Sequence, residues 1–408
     1  MKILLVSTHF PPDPAGGSPE SVRLTALALR QAGHHVTVVT PAWSPGVAPA
    51  GPYRVVQVPI SGLYDHGSER RFLNPRYHAA FGAAIAALAP EADVIHAQDR
   101  RAILATWLGR RGRPALVTLR DVGLLCPLGL CMWDGPAPRA CRGLGQHWRE
   151  QSRFLREYHA PTATVGVFSQ PARRARLLAR RAWLSLERRV ALRMDLVAFV
   201  SRALMDIHGR SGFRPTRAAV LPSPVEETPP LDRDGDPRFW AAFLGKPSPG
   251  KGWLEFCAMA GLLRGEGARF VHAGPPHAPR MPNVAHAGFL SRPALASLLS
   301  GVSAVVVPSR TPDALPRAAL EAQAWGVPVV ASDAGGLPEI VDDGETGFVV
   351  PRGDVGALMN RIRWLRSFHG SAAQPMGRLA RARALDRFGL RRVAEAHSAV
   401  YAHVMEER

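Results

Sequence analysis

Short apolar runs alternate with helical stretches along almost the whole chain, and this alternation leaves few possible architectures. The first forty residues predict a strand at 2–6, a helix at 19–32 and a second strand at 35–39. Strand-like runs recur at 55–58, 93–96, 115–119 and 196–200, with helical stretches at 77–89 and 174–193. A β-α-β order of this kind predicts an α/β domain built on a parallel sheet.

The alternation stops at residues 223–237, where Pro, Asp and Glu replace the apolar periodicity, and then it starts again. Beyond this linker, strand-like runs are found at 240–244, 269–273, 304–308 and 328–332. The sequence therefore predicts an α/β fold of two Rossmann-like domains, 1–222 and 223–385, which face each other across a cleft. A helical tail at about 386–408 has no evident partner in its own half, and we expect it to pack back on the first domain.

The formal net charge of +18 predicts attraction to anions such as nucleotides, phospholipids or nucleic acid. Arginine is spread along much of the chain, so a bias in composition is the competing explanation. Nucleic acid is not expected as a partner, because the sequence carries no zinc finger, aromatic-bearing motif or recognisable helix-turn-helix.

The sequence also bears on compartment and metal content. The apolar run within residues 1–7 is too short for a signal-peptide core, and no apolar stretch approaches the ~20 residues that cross a bilayer, so a cytoplasmic protein is expected. Cys126, Cys131 and Cys141 cluster ahead of His147, but their spacing matches no standard zinc site. Packed thiols and no metal are therefore expected.

Lysine is rare in this chain. The 51 Lys and Arg residues include three lysines, Lys2, Lys246 and Lys251, and the last two share one Gly/Pro-rich loop, GKPSPGKGW, at 245–253. An ammonium on a flexible stem suits a phosphate whose charge changes during a reaction, whereas arginine suits a fixed planar fork. The loop taken alone is equally consistent with chance, so this interpretation needs support from elsewhere in the sequence.

The stretch 308–350 offers that support. A buried strand is predicted to end at Pro308, and a loop carrying Asp313 leads into a helix with Pro316 in its first turn. Glu321 lies on the helix, eight residues after Asp313. Carboxylates accept hydrogen bonds from sugar hydroxyls, and the free N–H groups of a helix start bind anions. Together these groups predict a site for a nucleotide sugar.

Several segments in a fixed order form a specific pattern. They are the loop with Gly16 and Gly17, DVIHA at 93–97, the lysine loop at 245–252, AGP at 273–275, the acids Asp313 and Glu321, and PVVASDAGGLPEIVDDGETGFVV at 328–350. In these segments the sequence resembles the retaining glycosyltransferases of family 4, which have the two-domain GT-B fold. The likeness covers nearly the whole chain, so chance agreement is not a reasonable explanation.

The resemblance implies a role for each matching residue on the donor side. Glu321 stands at the acid that binds the ribose of the nucleotide. Asp313 stands at the acid that holds the transferred sugar, and it is one methylene shorter than the usual glutamate. Lys251 matches the lysine on the diphosphate, and Lys246 stands where the family usually has arginine.

Three further donor contacts are expected. Gly17, in the loop after the first predicted strand, would let the backbone approach the donor phosphate, and a tight turn is the alternative. Leu315 and Arg317 flank Pro316, which has no N–H, so neighbouring amides must bind the phosphate instead.

The acceptor side departs from the family pattern. A histidine that often lies across the cleft from the donor sugar aligns with TLRD at 118–121, where this chain has Arg120. Arg120 is therefore expected to act in catalysis with Lys251 and Asp313, and Asp121 and His96 are further acceptor-side candidates. For His96 the alternative is a histidine satisfied by structural hydrogen bonds at the end of a strand.

The implied reaction is retaining transfer of a hexosyl group from a nucleotide sugar to an acceptor hydroxyl. The acceptor attacks on the face that the diphosphate leaves, and the lysines stabilise the charge on the leaving group, so no divalent metal or other cofactor is expected. A glycan, a lipid-linked molecule and a small molecule are all open as acceptors, in cell-envelope polysaccharide or glycolipid biosynthesis. A nucleotide-sugar epimerase of the same fold and a non-catalytic nucleotide-sugar-binding protein are the alternatives.

The run at 173–193 mixes arginine with Leu, Trp and Val at helical spacing. Such a helix could lie on an anionic membrane surface, which would make the protein peripheral on the inner face of the plasma membrane. The alternative is a solvated helix that packs its apolar face on the sheet.

Overall fold

The computed structural model describes residues 1–11, 17–42, 51–60, 73–126, 171–228, 238–275, 281–368 and 373–407. These residues form two compact units. The first unit contains the described residues up to Pro224 together with those from Leu390 onward, and the second contains those between Val225 and Gly389.

The first unit is built on a parallel sheet of seven described strands in the order β3-β2-β1-β4-β5-β6-β7. The strands are β1 Lys2–Val6, β2 His35–Pro41, β3 Arg54–Val58, β4 Val94–Ala97, β5 Ala115–Leu119, β6 Leu196–Phe199 and β7 Ala218–Val220. The helices between them are α1 Gly17–Gln31, α2 Pro75–Leu88, α3 Ile103–Gly109, α4 Pro171–Ala191 and α5 Arg202–Arg210. Strands β1, β4 and β5 are buried along almost their whole length, as is typical of central parallel strands that have helices on both sides of the sheet.

The second unit repeats this architecture with six described parallel strands in the order β10-β9-β8-β11-β12-β13. They are β8 Phe239–Leu244, β9 Ala268–Ala273, β10 Val284–Gly288, β11 Ala304–Val307, β12 Val329–Ser332 and β13 Gly347–Val350. The helices are α6 Trp253–Leu262, α7 Arg292–Gly301, α8 Arg317–Ala324, α9 Leu337–Ile340, α10 Val355–Ser367 and α11 Ala373–Phe388. Its core is rich in aromatic rings, among them Phe243, Trp253 and Phe256.

The last helix, α12 Leu390–Glu406, belongs to the first unit and packs against α1. A polar contact fixes it to the sheet, because the Tyr401 hydroxyl lies 2.7 Å from Nδ1 of His96 on β4 and both side chains are fully buried. A second contact joins Ser398 Oγ to Nε2 of His34, 2.7 Å away. The satisfied and fully buried His96–Tyr401 pair restricts this helix to one position.

Glu187 on α4 is the basis of a prediction about stability. Its carboxylate is 1% exposed, and burial raises its pKa to about 7 although Arg100 Nη1 lies 3.2 Å from Oε2. The unfolded chain titrates this group near 4.5, so the folded protein holds the extra proton between these values. The contribution of the protonated Glu187 to the free energy of unfolding is therefore complete below pH 4.5. It is lost as the pH rises through about 7, which lowers the free energy of unfolding by up to about 3 kcal/mol.

We expect Glu187→Gln, which keeps this position neutral, to abolish that part of the pH dependence. Urea unfolding of both proteins across about pH 5 to 8 measures it. Glu91→Gln is the control, because Glu91 is 69% exposed in the same unit and should leave the wild-type slope unchanged. The same slope in wild type and Glu187→Gln would show that the carboxyl does not titrate in this range.

Candidate functional site

The carboxyl edge of the second sheet has a point where the strand order reverses. From β8 the chain continues to β9 and β10 on one side, and then returns to β11, which lies on the other side of β8. The connections that leave β8 and β11 therefore diverge and open a crevice, which is where open α/β sheets bind ligands. The lysine loop follows β8, and the loop with Asp313 follows β11.

Backbone contacts hold these two loops together. The N–H groups of Arg310 and Thr311 donate to the carbonyl oxygen of Gly250 at 2.9 and 3.2 Å. Gly252 has a φ of 76°, and a Cβ atom there would lie 1.8 Å from the carbonyl oxygen of Pro308. Only glycine allows the lysine loop to approach so closely, so Gly252 determines where Lys251 is placed.

Lys251 and Asp313 meet at this crevice. The Lys251 ammonium donates to Oδ2 of Asp313, and the Ser309 hydroxyl donates to the same oxygen at 3.3 Å. The Asp313 side chain is 15% exposed, whereas that of Lys251 is 44% exposed. An ammonium has three donors, so Lys251 keeps the ability to bind an anion while it contacts Asp313.

Asp313 is also fixed through its backbone. Gly336 N–H donates to its carbonyl oxygen at 2.8 Å. Gly335 has a φ of 59°, and a Cβ atom there would lie 2.0 Å from that oxygen. The glycine pair after β12 therefore supports the loop that presents the Asp313 carboxylate.

Glu321 on α8 accepts hydrogen bonds from two arginines. Its Oε1 receives Arg317 Nε at 3.1 Å and Nη2 at 2.6 Å, and Arg292 Nη1 at 2.7 Å. Arg292 also donates to Glu226 Oε2 at 2.8 Å. Burial acts to raise the pKa of Glu321, but the two guanidiniums outweigh it and hold that pKa below its ordinary value. Glu321 is therefore an ionised acceptor fixed at this edge of the sheet.

The start of α8 differs from the prediction. Pro316 was expected in the first turn, but it is the N-cap, with a ψ of 120°, and the helix begins at Arg317. The Pro316 carbonyl accepts from the N–H groups of Ala319 and Leu320, both at 3.2 Å, which is the geometry of an N-cap. Leu315 is buried at 8% exposure, so its side chain is part of the packing and only its backbone is available for a ligand.

Lys246 is exposed on the same loop as Lys251. It follows Gly245, which has a φ of 117°, a backbone conformation that favours glycine. The Gly245 carbonyl oxygen lies 2.9 Å from Nε2 of His272. Gly245 N–H also donates to Ala273 at 2.8 Å, so the base of the loop is fixed while the lysine side chain faces solvent.

The remaining candidates lie in the first unit. Gly17 is exposed at the first position of α1. Arg120 directly follows β5 and makes three hydrogen bonds. Its Nε donates to the Gln98 carbonyl at 2.8 Å and its Nη2 donates to Gln98 Oε1 at 2.7 Å. Its Nη1 donates to Ser223 Oγ at 2.9 Å. Asp121 is exposed and its Oδ1 accepts from Gly123 N–H at 2.7 Å. Arg120 thus ties the ends of two strands to the residues just before the second unit.

The expectation that His96 contacts an acceptor finds no support in this geometry. The ring is completely buried, with Tyr401 at one nitrogen and Thr118 Oγ1 at the other, each 2.7 Å away. Burial, together with the neighbouring His397 and Arg120, holds the pKa of His96 well below its usual range. His96 is therefore a neutral structural residue that links β4 to β5 and α12.

The sequence interpretation missed a polar contact at the corresponding point of the first sheet, between β1 and β4. Asp99 Oδ2 accepts from Thr8 N–H at 2.9 Å, and Asp99 Oδ1 receives the Thr8 hydroxyl at 3.0 Å. The signal was present, because Gln98 and Asp99 are polar residues directly after a predicted buried strand.

Of the three clustered cysteines, Cys126 is a buried free thiol, whereas Cys131 and Cys141 lie outside the described residues.

Comparison with known proteins identifies the class. The model described as Glycosyltransferase Family 4 matches residues 15–228, and that described as Glycosyl transferases group 1 matches residues 238–367. The chain belongs to glycosyltransferase family 4, and it is a glycosyltransferase of the GT-B fold with two Rossmann-like domains.

Individual relatives agree with this assignment. The chain is 28% identical over 403 residues to a D-inositol 3-phosphate glycosyltransferase of Mycolicibacterium paratuberculosis, covering 91% of this chain and 82% of the relative. Sucrose-phosphate synthase of Thermosynechococcus elongatus has a similar structure, with a TM-score of 0.75, 20% identity and 100% of both chains covered. Anabaena HepE, solved with UDP-glucose, gives a TM-score of 0.66 at 18% identity, again over 100% of both chains.

The described ranges also bear on membrane spans and metal sites. No helix within them combines the length and apolar character needed to span a bilayer. No group of three or more His, Cys, Asp or Glu residues in the same part of the chain is arranged to hold a metal ion.

Proposed function

We propose that this glycosyltransferase binds a nucleotide sugar at the carboxyl edge of the second sheet and transfers the sugar to an acceptor hydroxyl with retention of configuration. The observation that carries the proposal is the Lys251–Asp313 ion pair at the point where the strand order reverses. A cation suits the diphosphate, and a carboxylate beside it can accept a hydrogen bond from a hydroxyl of the sugar, so the pair fits the point where diphosphate and sugar are joined.

Each donor-side residue then has a task. Lys251 donates its remaining protons to the diphosphate, and Asp313 accepts from a hydroxyl of the transferred sugar. Glu321, kept ionised by Arg317 and Arg292, accepts from the ribose. Lys246 and the backbone at Leu315 complete the set of groups that the second unit offers to the phosphates, and for Gly17 of the first unit a phosphate contact stays a prediction from the sequence.

The same arrangement serves the chemical step. The acceptor oxygen attacks the anomeric carbon on the face from which the diphosphate leaves, and a phosphate oxygen takes the acceptor proton. Lys251 and Lys246 stabilise the negative charge that grows on the leaving diphosphate. This charge is larger in the transition state than in the bound donor, so the two lysines stabilise the transition state more than the donor complex. Because the protein itself supplies these cations, we propose that no divalent metal is needed, and turnover that persists after EDTA treatment tests this point.

On the acceptor side we propose Arg120 as a positioning residue, because its Nε and Nη2 donate to Gln98 and its Nη1 donates to Ser223. Asp121 is the exposed carboxylate next to it. A relative named D-inositol 3-phosphate glycosyltransferase supports a small hydroxylated acceptor, and lipid-linked or glycan acceptors of the cell envelope belong in the same screen.

A panel of UDP-, GDP-, ADP- and dTDP-sugars tests the donor proposal by thermal shift and by product analysis. We expect one nucleotide series to raise the melting temperature, and transfer to require an acceptor. The product's anomeric configuration, read by NMR, tests retention. Conversion of the sugar without any acceptor would instead indicate an epimerase, and no shift with any donor would contradict the proposed site.

A further inference from the structure

Helix α4 is strongly basic and its one acidic residue points inward. The helix contains seven arginines and a single glutamate, Glu187. The Glu187 carboxylate is 1% exposed and contacts Arg100 of the first unit. The exposed Arg189 therefore has no carboxylate from its own helix on its side of α4.

The outward face of α4 and the turn that follows it combine basic with aliphatic side chains. On the helix Leu186 is 42% exposed and Arg189 is exposed, and in the turn Leu192 is 42% exposed and Arg193 is exposed. Other side chains of the helix, Leu184, Val190 and Ala191, are buried, as is Met194 after it. The neighbouring helix α3, which packs on α4, also exposes a leucine, Leu108, at 61%.

We propose that this surface, formed by Leu186 and Arg189 of α4 and by Leu192 and Arg193 of the turn after it, binds the surface of an anionic phospholipid bilayer. Its arginines are complementary to lipid phosphates, and its exposed leucines can enter the boundary between headgroups and acyl chains. The leucines distinguish this surface from a nucleic-acid site. There, polar and cationic side chains bind the phosphates, and hydrogen-bonding or aromatic side chains bind the bases. The proposal is independent of the sugar-transfer chemistry, because no residue of this face belongs to the donor site.

Co-sedimentation of the full-length protein with vesicles tests the proposal. We expect binding to phosphatidylcholine vesicles that contain phosphatidylglycerol, and much weaker binding to phosphatidylcholine alone. The double variant Arg189→Glu and Arg193→Glu should lower the partition coefficient at least about thirtyfold, since each basic residue near such a surface contributes about 1 kcal/mol. The double variant Leu186→Ser and Leu192→Ser should weaken binding while leaving its salt dependence in place.

A matched control separates local from overall charge. Arg391→Glu with Arg392→Glu changes the net charge by the same amount at residues of α12 that are 90% and 66% exposed, and it should bind vesicles like wild type. If the α4 charge reversal fails to fold, Arg189→Gln with Arg193→Gln provides the test, with an expected loss in the same direction. Equal binding by the α4 and α12 variants, or no preference for anionic vesicles, would overturn the proposal. So would a DNA duplex that binds through Arg189 and Arg193 while vesicles do not bind.

Discussion

Replacing Lys251 by alanine is expected to reduce the rate of sugar transfer at least about 100-fold, the usual loss when one preorganised electrostatic donor is removed. Two effects add to give this result. The leaving diphosphate loses a cation that is most effective in the transition state, and Asp313 loses its counter-charge and then repels the same phosphates. Initial rates at saturating donor and acceptor measure the loss.

The chain supplies its own control for this prediction. Lys2 is an exposed lysine on β1 of the first unit, and Lys2→Ala should transfer sugar at the wild-type rate. Because the Lys251 side chain is 44% exposed, its pair with Asp313 adds little to stability, and the melting temperature of Lys251→Ala should stay close to that of wild type. Transfer within a few-fold of wild type would remove Lys251 from the proposed mechanism.

Replacing Glu321 by glutamine is expected to weaken both donor binding and the fold. The KM for the donor should rise about ten- to hundredfold, because a hydrogen bond from a ribose hydroxyl to a charged acceptor contributes roughly 1.5–3 kcal/mol. The free energy of unfolding should fall by about 3 kcal/mol, since Arg317, only 11% exposed, is left without its counter-charge. Donor kinetics and urea unfolding at neutral pH measure the two effects.

Glu226→Gln is the matched control for this change. Glu226 accepts from the same Arg292, but its side chain is 34% exposed, so we expect a change in stability within about 1 kcal/mol and a nearly normal donor KM. The folded pKa of Glu321 is lowered, so its stabilising contribution is present above the unfolded pKa and is lost as the pH falls through the folded one. Glu321→Gln should lack this acid-dependent loss. Equal effects of both substitutions would show that Glu321 has no special role.

Much of the fold could be predicted because buried parallel strands read as short apolar runs between breakers. The predicted strands at 2–6 and 115–119 have the observed limits, and both are buried along almost their whole length. Strand β10 at Val284–Gly288 was missed, because only Val284 is fully buried in it and the rest alternates with exposed residues. Edge strands of this kind lack the continuous apolar run that identifies a central strand.

The site was predictable as a set of residue types but not as a set of contacts. The sequence places Lys251 and Asp313 in separate loops, and only the order of strands β8 and β11 shows that these loops are neighbours. The two arginines on Glu321 show the same limit. Arg317 is four residues away on the same helix and could be paired with it from spacing. Arg292 is 29 residues away, and its contact depends on how α7 packs.

The chain enters and leaves the second unit at one place. Val225 N–H donates to the Phe388 carbonyl at 2.8 Å, and Val225 pairs with Gly389 as a parallel bridge. The segment from Val225 to Gly389 is thus topologically an insertion whose two ends are already joined. Such a segment could be exchanged as a cassette between family members, carrying Lys251, Asp313 and Glu321 with it, while α12 and its contact with His96 stay in the recipient. Diversification of the donor site and of the rest of the chain could therefore proceed separately, through recombination at two adjacent joints.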